Sequence, residues 1–233
     1  MKLFVVSLLV LTLGACGEDD DETTTADNFT LNGAGSNSTG LVATTPAMAK
    51  LNIYKFAVSA SADCSSPITV FSDDDGVEVD MEDGPTIGSG ELADGTYPCV
   101  ILEMDDEIKF TTSAADGSCA ASTEYSINVC RQFSDEGTIT STLIDGDTVT
   151  CTDAKEKVAV YISTNSATSG GEGSDPFNAP ASANSTSGIT LGSALVVSGT
   201  TSGTFRMNTA NKVDGSNETC DMQPPAFSFT SGS

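Results

Sequence analysis

Short runs of alternating apolar and polar residues recur along the chain from Leu51 onward, and turn residues separate them. Runs of four to eight residues with a period of two are typical of β-strands buried on one face. Val77, Val79 and Met81 alternate with acidic residues in this way, and the pattern recurs at residues 107–111, 125–129, 157–162, 204–208 and 226–229. Apolar residues nowhere follow the helical spacing i, i+3, i+4, i+7 for a dozen positions, so we predict almost no helix.

About ten to twelve such runs, with Gly, Asp, Asn and Ser between them, predict an all-β fold. We expect an antiparallel β-sandwich of the prealbumin or immunoglobulin kind. Residues 97–104 are apolar on both faces except at Glu103, which is typical of a central strand covered on both sides. We expect residues 47–163 to form the sandwich and residues 164–187 a polar loop. Residues 188–233 either complete the sandwich or form a small subdomain.

The first sixteen residues combine one basic residue, an apolar run and small residues before a cysteine. Lys2 precedes the apolar residues 3–13, and Leu13-Gly14-Ala15-Cys16 follows. This arrangement is that of an export signal, and it is too short to span a bilayer. It resembles the lipobox of bacterial lipoprotein signal peptides. The resemblance implies that residues 1–15 are removed and that Cys16 is lipidated and anchors the protein to a membrane. The alternative is an ordinary secretory signal in which the cysteine is coincidental.

Residues 16–46 contain few side chains able to enter a core, so we predict a disordered tether with a reach of about 30 Å. The acidic residues 18–22 resemble the stretch that follows the lipidated cysteine in surface-exposed lipoproteins. A solvated acidic linker would have the same composition. Gly17, rather than Asp, follows the lipidated position, and the resemblance therefore implies a lipoprotein of the outer membrane, with surface exposure as an expectation.

The chain has seven cysteines, six of them outside the lipobox. An even number in an oxidising compartment predicts three disulfides, and six cysteines allow 15 pairings. There is no histidine and no C-x-x-C spacing, which disfavours a zinc site. Consecutive pairing is our working hypothesis: Cys64 with Cys99, Cys119 with Cys130, and Cys151 with Cys220.

A ten-residue stretch from Gly88 contains a Leu-x-x-Gly-x-Tyr pattern, in Leu92, Gly95 and Tyr97. It resembles a corner seen in transthyretin-like sandwich domains of bacterial surface proteins. We expect Gly95 to adopt a positive φ in the turn. Leu92 would then close one core layer, and Tyr97 would begin the next strand facing the core.

Acidic side chains dominate the charge of the chain, which is −24 at pH 7. The scattered basic residues exclude a nucleic-acid partner, because phosphate binding needs clustered Lys and Arg. The densest acidic segment spans residues 73–83, and residues 105–107 form a second acidic turn. Carboxylates at alternate positions can converge on Ca²⁺; the alternative is a strand whose acidic side chains face solvent. The candidate calcium ligands are Asp73, Asp75, Glu78, Asp80 and Glu82.

Enzymatic activity is disfavoured by the residues that the chain lacks. Without histidine, Ser-His-Asp and Cys-His catalysis are excluded. A carboxylate-pair hydrolase stays open in principle, but the chain has no Trp and only four Tyr to line a sugar site. We therefore expect a membrane-anchored lipoprotein outside the cytoplasm with a non-enzymatic binding, adhesion or envelope-structural role, acting on an unidentified protein or glycan. The alternatives are a calcium-dependent adhesion or assembly module and a carboxylate-pair hydrolase.

Overall fold

The computed structural model describes residues 26–36, 44–131, 133, 139–152, 155–168, 175–199, 202–216 and 218–231. Cys16, the predicted signal peptide at residues 1–15 and the acidic run 18–22 lie outside the described residues. Within the described ranges the only helical element is a 3₁₀ turn at Met81–Asp83, and no helix is long and apolar enough to cross a membrane. The all-β prediction is confirmed. The strands are β1 (Asp27–Ala34), β2 (Pro46–Ser59), β3 (Ile68–Asp80), β4 (Thr86–Leu92), β5 (Gly95–Tyr97), β6 (Cys99–Asp105), β7 (Glu107–Thr112), β8 (Glu124–Asn128), β9 (Thr140–Thr142), β10 (Thr148–Thr150), β11 (Lys157–Ser163), β12 (Ile189–Thr190), β13 (Leu195–Val197), β14 (Ser202–Asn208), β15 (Val213–Asp214), β16 (Asp221–Met222) and β17 (Ala226–Ser231).

Two large sheets share one apolar core. The seven-stranded sheet has the order β12-β11-β6-β2-β7-β8, with β3 paired to β2, and the four-stranded sheet has the order β17-β14-β1-β4. Phe56 of β2 meets Phe205 of β14 and Phe229 of β17 edge-on, with ring centroids 5.1 and 6.3 Å apart. Because these aromatic rings come from both sheets, the principal core lies between the sheets.

Strands β6 and β7 run in the same direction along one edge of β2. Ser59 lies opposite Cys99, and Pro46 lies opposite Thr112. The two strands therefore form one long strand that is interrupted at Asp106. On its far side β11 pairs with β6, and β8 pairs with β7. On this side, β11 lies beside β6 and β8 lies beside β7. The end of β8 and the start of β11 therefore meet next to Asp106.

Every residue of β6 is buried, as the apolar pattern of residues 97–104 predicts. One face of β6 contributes to the principal core. The other face belongs to a second cluster with Ile101, Ala159 and Tyr161, on the outer side of the seven-stranded sheet. The β9–β10 hairpin covers this cluster: Leu143 packs into it, and the Ser141 hydroxyl donates a hydrogen bond to the Ala159 carbonyl at 3.1 Å.

The predicted tether over residues 16–46 is wrong for residues 27–34, which form β1. This strand lies between β14, to which it is parallel, and β4, to which it is antiparallel. Phe29 and Leu31 are fully buried, whereas Thr30 and Asn32 remain partly exposed. Two large apolar residues at alternate positions are enough for a strand when neighbours on both sides complete its hydrogen bonds.

The C-terminal residues complete the fold and form no separate subdomain in the described part of the chain. Strands β14 and β17 belong to the same sheet as β1 and β4. The polar loop 164–187 is also attached to the body, because Phe177 is fully buried and packs edge-on against Phe133. Its physical role is therefore to carry an aromatic side chain into the core.

The corner around Leu92 forms differently from the expectation. Leu92 and Tyr97 are buried, and the Tyr97 hydroxyl donates to the Ala93 carbonyl at 2.7 Å. Gly95, however, begins β5 and does not adopt a positive φ. The turn is closed by the tyrosine hydroxyl, so no left-handed glycine is needed.

The described cysteines form three disulfides, as predicted. Cys64 pairs with Cys99, which confirms one expected pair. The other two predicted pairs are wrong, because the fold brings Cys119 to the distant Cys220, and the bond between Cys130 and Cys151 lies within that loop. The observed pairs are Cys119 with Cys220 and Cys130 with Cys151, with Cα–Cα distances of 4.8 and 6.0 Å.

Candidate functional site

A polar junction forms where β8 ends and β11 begins, around Asp106. The Asp106 N–H donates to the Glu156 carbonyl at 2.9 Å, and the Val129 N–H donates to the Asp106 carbonyl at 2.7 Å. The side chain accepts from Asn128 Nδ2 at 2.9 Å and from the Glu156 N–H at 3.1 Å. Burial raises the pKa of Asp106, and these hydrogen bonds oppose that rise. Asp106 thus ties together the two strand ends on either side of it.

The Asp105 carboxylate accepts several hydrogen bonds on the outer side of the sheet, the side turned away from the principal core. Its carboxylate accepts from Asn52 Nδ2 at 2.9 Å, from the Tyr54 hydroxyl at 2.8 Å and from Lys155 Nζ at 2.6 Å. Lys157 Nζ lies 5.0 Å from the centre of the Tyr54 ring, within cation–π range. The charge of this buried carboxylate is therefore compensated by a lysine and by two neutral donors from β2.

A cavity of about 530 Å³ opens beside this junction. Its lining includes Ser126 and Asn128 of β8, residues 219–221 and the acidic residues Asp106 and Glu107. Lys155 and Arg131 also line the cavity. Its volume falls within the range of ligand sites, and its charged lining differs from the mostly apolar lining of drug-like pockets. The cavity is suited to a polar or charged ligand.

Glu103 forms a buried ion pair under the β9–β10 hairpin. Its Oε1 accepts from the Ile144 N–H at 2.7 Å, and Lys55 Nζ lies 3.6 Å from Oε2. Oε2 makes no hydrogen bond to any described residue. Since the Glu103 side chain is 0% exposed, Lys55 is its charge partner and Ile144 its hydrogen-bond donor. The pair secures the hairpin on the outer side of the sheet.

Replacing Lys55 with methionine is expected to lower the free energy of unfolding by about 3 kcal/mol, because it leaves the Glu103 charge buried without a partner. The loss falls at the low end for a buried pair, since the Lys55 side chain is 23% exposed. The double variant Lys55→Met/Glu103→Gln should be more stable than the single variant, because the introduced glutamine carries no charge. Urea unfolding measures both. Equal losses in the two variants would contradict the ion pair.

Tyr161 lies beneath the same hairpin, and its hydroxyl donates to the Thr142 carbonyl at 2.8 Å. Burial, together with the nearby Glu103 charge, raises the pKa of Tyr161 to about 12. An absorbance titration at alkaline pH is therefore expected to show a late tyrosinate transition near pH 12 that Tyr161→Phe removes. Folding stability should fall as pH rises from about 10, since the unfolded tyrosine ionises before the folded one. A titration unchanged by the substitution would contradict this assignment.

The five candidate calcium ligands are not brought together. The Glu78 carboxylate binds Lys109 Nζ at 2.8 Å and Lys50 Nζ at 3.1 Å, and these contacts lower its pKa. Asp80 Oδ1 accepts from the Ala49 N–H at 3.0 Å and the Glu82 N–H at 3.1 Å. Both carboxylates are therefore already engaged by protein groups.

The other three acidic residues point elsewhere. Glu82 accepts from the Ser36 hydroxyl at 3.1 Å and the Thr209 hydroxyl at 2.5 Å. Asp73 and Asp75 lie in a bulge of β3 opposite the interval from Ile53 to Lys55 of β2, where the Asp75 N–H donates to Asp73 Oδ1 at 3.0 Å. Within the described ranges no group of three or more acidic or cysteine side chains could hold a metal ion. The predicted calcium site is therefore wrong: lysines, hydroxyls and backbone N–H groups bind the carboxylates of Asp73, Glu78, Asp80 and Glu82 separately.

The junction was only partly visible in the sequence. The acidic turn 105–107 marks its centre, and Lys155 and Lys157 are the closest pair of basic residues in the chain. Asn128, however, comes from a different strand. Nothing in its local sequence distinguishes Asn128 from other turn residues. Its role arises only because β8 ends, and β11 begins, beside Asp106 in the fold.

The chain matches no protein-family model, no curated protein and no solved structure at the level of significance required.

Proposed function

We propose that the protein is a lipid-anchored lipoprotein of a bacterial cell envelope with a non-enzymatic binding or adhesion role. The observation that carries the proposal is the sequence Leu13-Gly14-Ala15-Cys16 after an apolar run. The three disulfides support it, since disulfides persist in oxidising compartments outside the cytoplasm. We further propose that the two sheets form a sandwich of the prealbumin or immunoglobulin kind.

The position of β1 sets how far the body can stand from the lipid. The strand begins at Asp27, which leaves ten residues, 17–26, between it and Cys16. At most 3.6 Å per residue, they span no more than about 40 Å. The proposed anchor therefore holds the folded body close to the membrane, and a partner would be bound near that surface.

The charged cavity beside Asp106 supports recognition over catalysis. The carboxylates of Asp105 and Asp106 are both occupied by protein donors, so neither is set up as a free acid or base. The absence of histidine from the sequence removes the commonest general base. A polar cavity in a disulfide-braced β-fold is suited to binding a partner.

Replacing Cys16 with serine tests the anchor. We expect the precursor to stay unprocessed and to take up no labelled fatty acid, because serine cannot be thioether-linked to a lipid. Gly17→Ala is the matched control, since it keeps the thiol and the four residues of the lipobox. Globomycin should cause the same accumulation of precursor in the unmodified protein. A Cys16→Ser protein that is still cut to the mature size, or that still takes up labelled fatty acid, would overturn the proposal.

Protease shaving of intact cells locates the folded body. Release of peptides from the described strands would support adhesion or recognition at the cell surface. Protection in intact cells, with cleavage after the outer membrane is opened, would place the body in the periplasm. The second outcome would overturn the adhesion role and leave a binding role inside the envelope.

A further inference from the structure

The three disulfides differ in how far solvent can reach their cysteines. In the bond from Cys119 to Cys220, Cys119 is 0% exposed, whereas Cys220 is only partly buried. The cysteines of the other two bonds are at most 4% exposed: Cys64, Cys99, Cys130 and Cys151. Cys220 is therefore the most accessible of the six bonded cysteines.

Cys220 also lines the cavity of about 530 Å³ beside Asp106. The preceding residue, Thr219, is exposed and lines the same cavity. Thiol–disulfide exchange begins when a thiolate reaches one of the two sulfur atoms of a disulfide, so access decides which bond reacts and at which end. The cavity gives a thiolate from solution an approach to the Cys220 end of the bond.

The Cys119 end of the same bond is enclosed by backbone. Asp116 and Cys119 exchange two backbone hydrogen bonds of 2.9 and 2.8 Å in a tight turn. The Ser118 N–H donates to the Gly215 carbonyl at 2.9 Å, and a Cβ on Gly215 would lie 1.8 Å from the Asp116 carbonyl oxygen. Because these two backbone segments are in such close contact, they leave no room for a partner's thiol between them.

The connectivity of the disulfides gives exchange at this bond a role in folding. The bond from Cys119 to Cys220 spans 101 residues and encloses the bond from Cys130 to Cys151. Cys130 is much closer to Cys119 along the chain than Cys220 is, and closing a short loop costs less chain entropy than closing a long one. An unfolded chain therefore joins Cys119 to Cys130 more readily than to Cys220. Exchange must break that bond before the native pair can form.

We propose that the protein undergoes thiol–disulfide exchange at the bond between Cys119 and Cys220, with Cys220 as the cysteine that is attacked. An external thiolate would form a new S–S bond to Cys220 Sγ while the bond to Cys119 Sγ breaks. Cys119 would leave as a thiolate and take a proton from water, so the products are a mixed disulfide and one protein thiol. A thiol of a small molecule and a thiol of an oxidoreductase share this chemistry.

Partial reduction of the purified full chain in detergent tests which bond reacts. The protein is treated with dithiothreitol without denaturant, quenched with acid, alkylated and mapped by mass spectrometry. We expect Cys119 and Cys220 to be alkylated at least about tenfold faster than the other four cysteines, which need an opening of the fold before a thiol can reach them. Reduction of all three bonds at one common rate, or of another bond first, would overturn the proposal.

Two single variants test which sulfur is attacked. Cys119→Ala and Cys220→Ala lose the same bond and differ in which thiol remains, so each is the matched control of the other. A water-soluble maleimide should label the Cys220 thiol of folded Cys119→Ala, and should label the Cys119 thiol of Cys220→Ala only in denaturant. Equal labelling of the two folded proteins would contradict attack at Cys220. If circular dichroism shows that the variants are unfolded, partial reduction of the unmodified protein still decides the proposal.

A thioredoxin that retains only its attacking cysteine distinguishes the two sources of the thiol. With the unmodified protein it should form a covalent complex that reductant dissolves and that peptide mapping places on Cys220. Such a complex would support a protein partner. Reduction by dithiothreitol without a complex would support a small thiol. A complex on any of the buried cysteines would contradict the proposed direction of attack.

Oxidative refolding tests the role in folding. The reduced, unfolded chain is oxidised with diamide alone or with a mixture of reduced and oxidised glutathione. Diamide alone should leave a bond between Cys119 and Cys130, whereas the free thiol of the second mixture should restore the pair of Cys119 and Cys220. Native pairing that forms equally fast without a thiol would contradict this role.

Discussion

Replacing Cys119 and Cys220 together with alanine is expected to lower the free energy of unfolding by about 4.7 kcal/mol, the largest loss from any of the three disulfides. The two cysteines are 101 residues apart. In the chain-entropy model a cross-link stabilises by restricting the unfolded chain, and a loop of about 100 residues corresponds to this value. The disulfide also connects the turn after β7 to the segment before β16, which are distant along the chain.

Replacing Cys130 and Cys151 with alanine provides the matched comparison. These residues are 21 apart, so the same model gives about 3 kcal/mol. Denaturant unfolding under non-reducing conditions measures both variants, and peptide mapping of the unmodified protein checks the pairing. A larger loss for the shorter loop would show that strain or local packing, and not chain entropy, sets the contribution of each bond.

The disulfide pattern shows what the sequence could and could not predict. The number of bonds follows from an even count of cysteines. Cys64 pairs with Cys99 because Cys64 follows β2 and Cys99 begins β6, and these two strands pair in the sheet. The pairing of Cys119 with Cys220 depends on where β16 lies relative to β8. That placement is decided by packing across the whole chain, which no local pattern encodes.

The strands themselves were more predictable than their arrangement. The alternation at residues 107–111 and 204–208 identifies β7 and β14, because side-chain burial on one face has a local period. Residues 157–162 identify β11 as a short apolar run, which is buried on both faces. β1 was missed, because its flanking Gly, Ser, Asn and Thr have the composition of a linker. Its parallel pairing with β14 links residues about 170 positions apart, such as Thr30 and Ser202. Local composition does not predict contacts over such a distance along the chain.

The candidate site depends on the same long-range arrangement. The acidic turn at residues 105–107 was visible in the sequence, but its role was not. Asp106 becomes a junction because the strand formed by β6 and β7 is interrupted beside the gap between β8 and β11. The acidic segment 73–83 was the stronger signal and formed no metal site in the described residues. A high density of carboxylates alone does not predict a bound metal ion, because lysines and backbone donors compete for each carboxylate.

Replacing Phe56 with alanine is expected to destabilise the fold by about 3–5 kcal/mol, the cost of removing a large aromatic side chain from a core. Phe56 is fully buried, and its ring meets Phe205 and Phe229 of the opposite sheet. The substitution therefore removes contacts that hold the two sheets together, and urea unfolding measures the loss.

A double-mutant cycle separates contact between the sheets from simple loss of volume. Phe56→Leu is the matched control and should cost less than Phe56→Ala, because leucine fills much of the space. The effects of Phe56→Leu and Phe205→Leu should be non-additive by about 0.5–1.5 kcal/mol, the range measured for aromatic pairs. Additive effects would mean that the rings do not interact. A loss below about 1 kcal/mol for Phe56→Ala would mean that the sheets are held together elsewhere, since such a value is too small for an emptied core position.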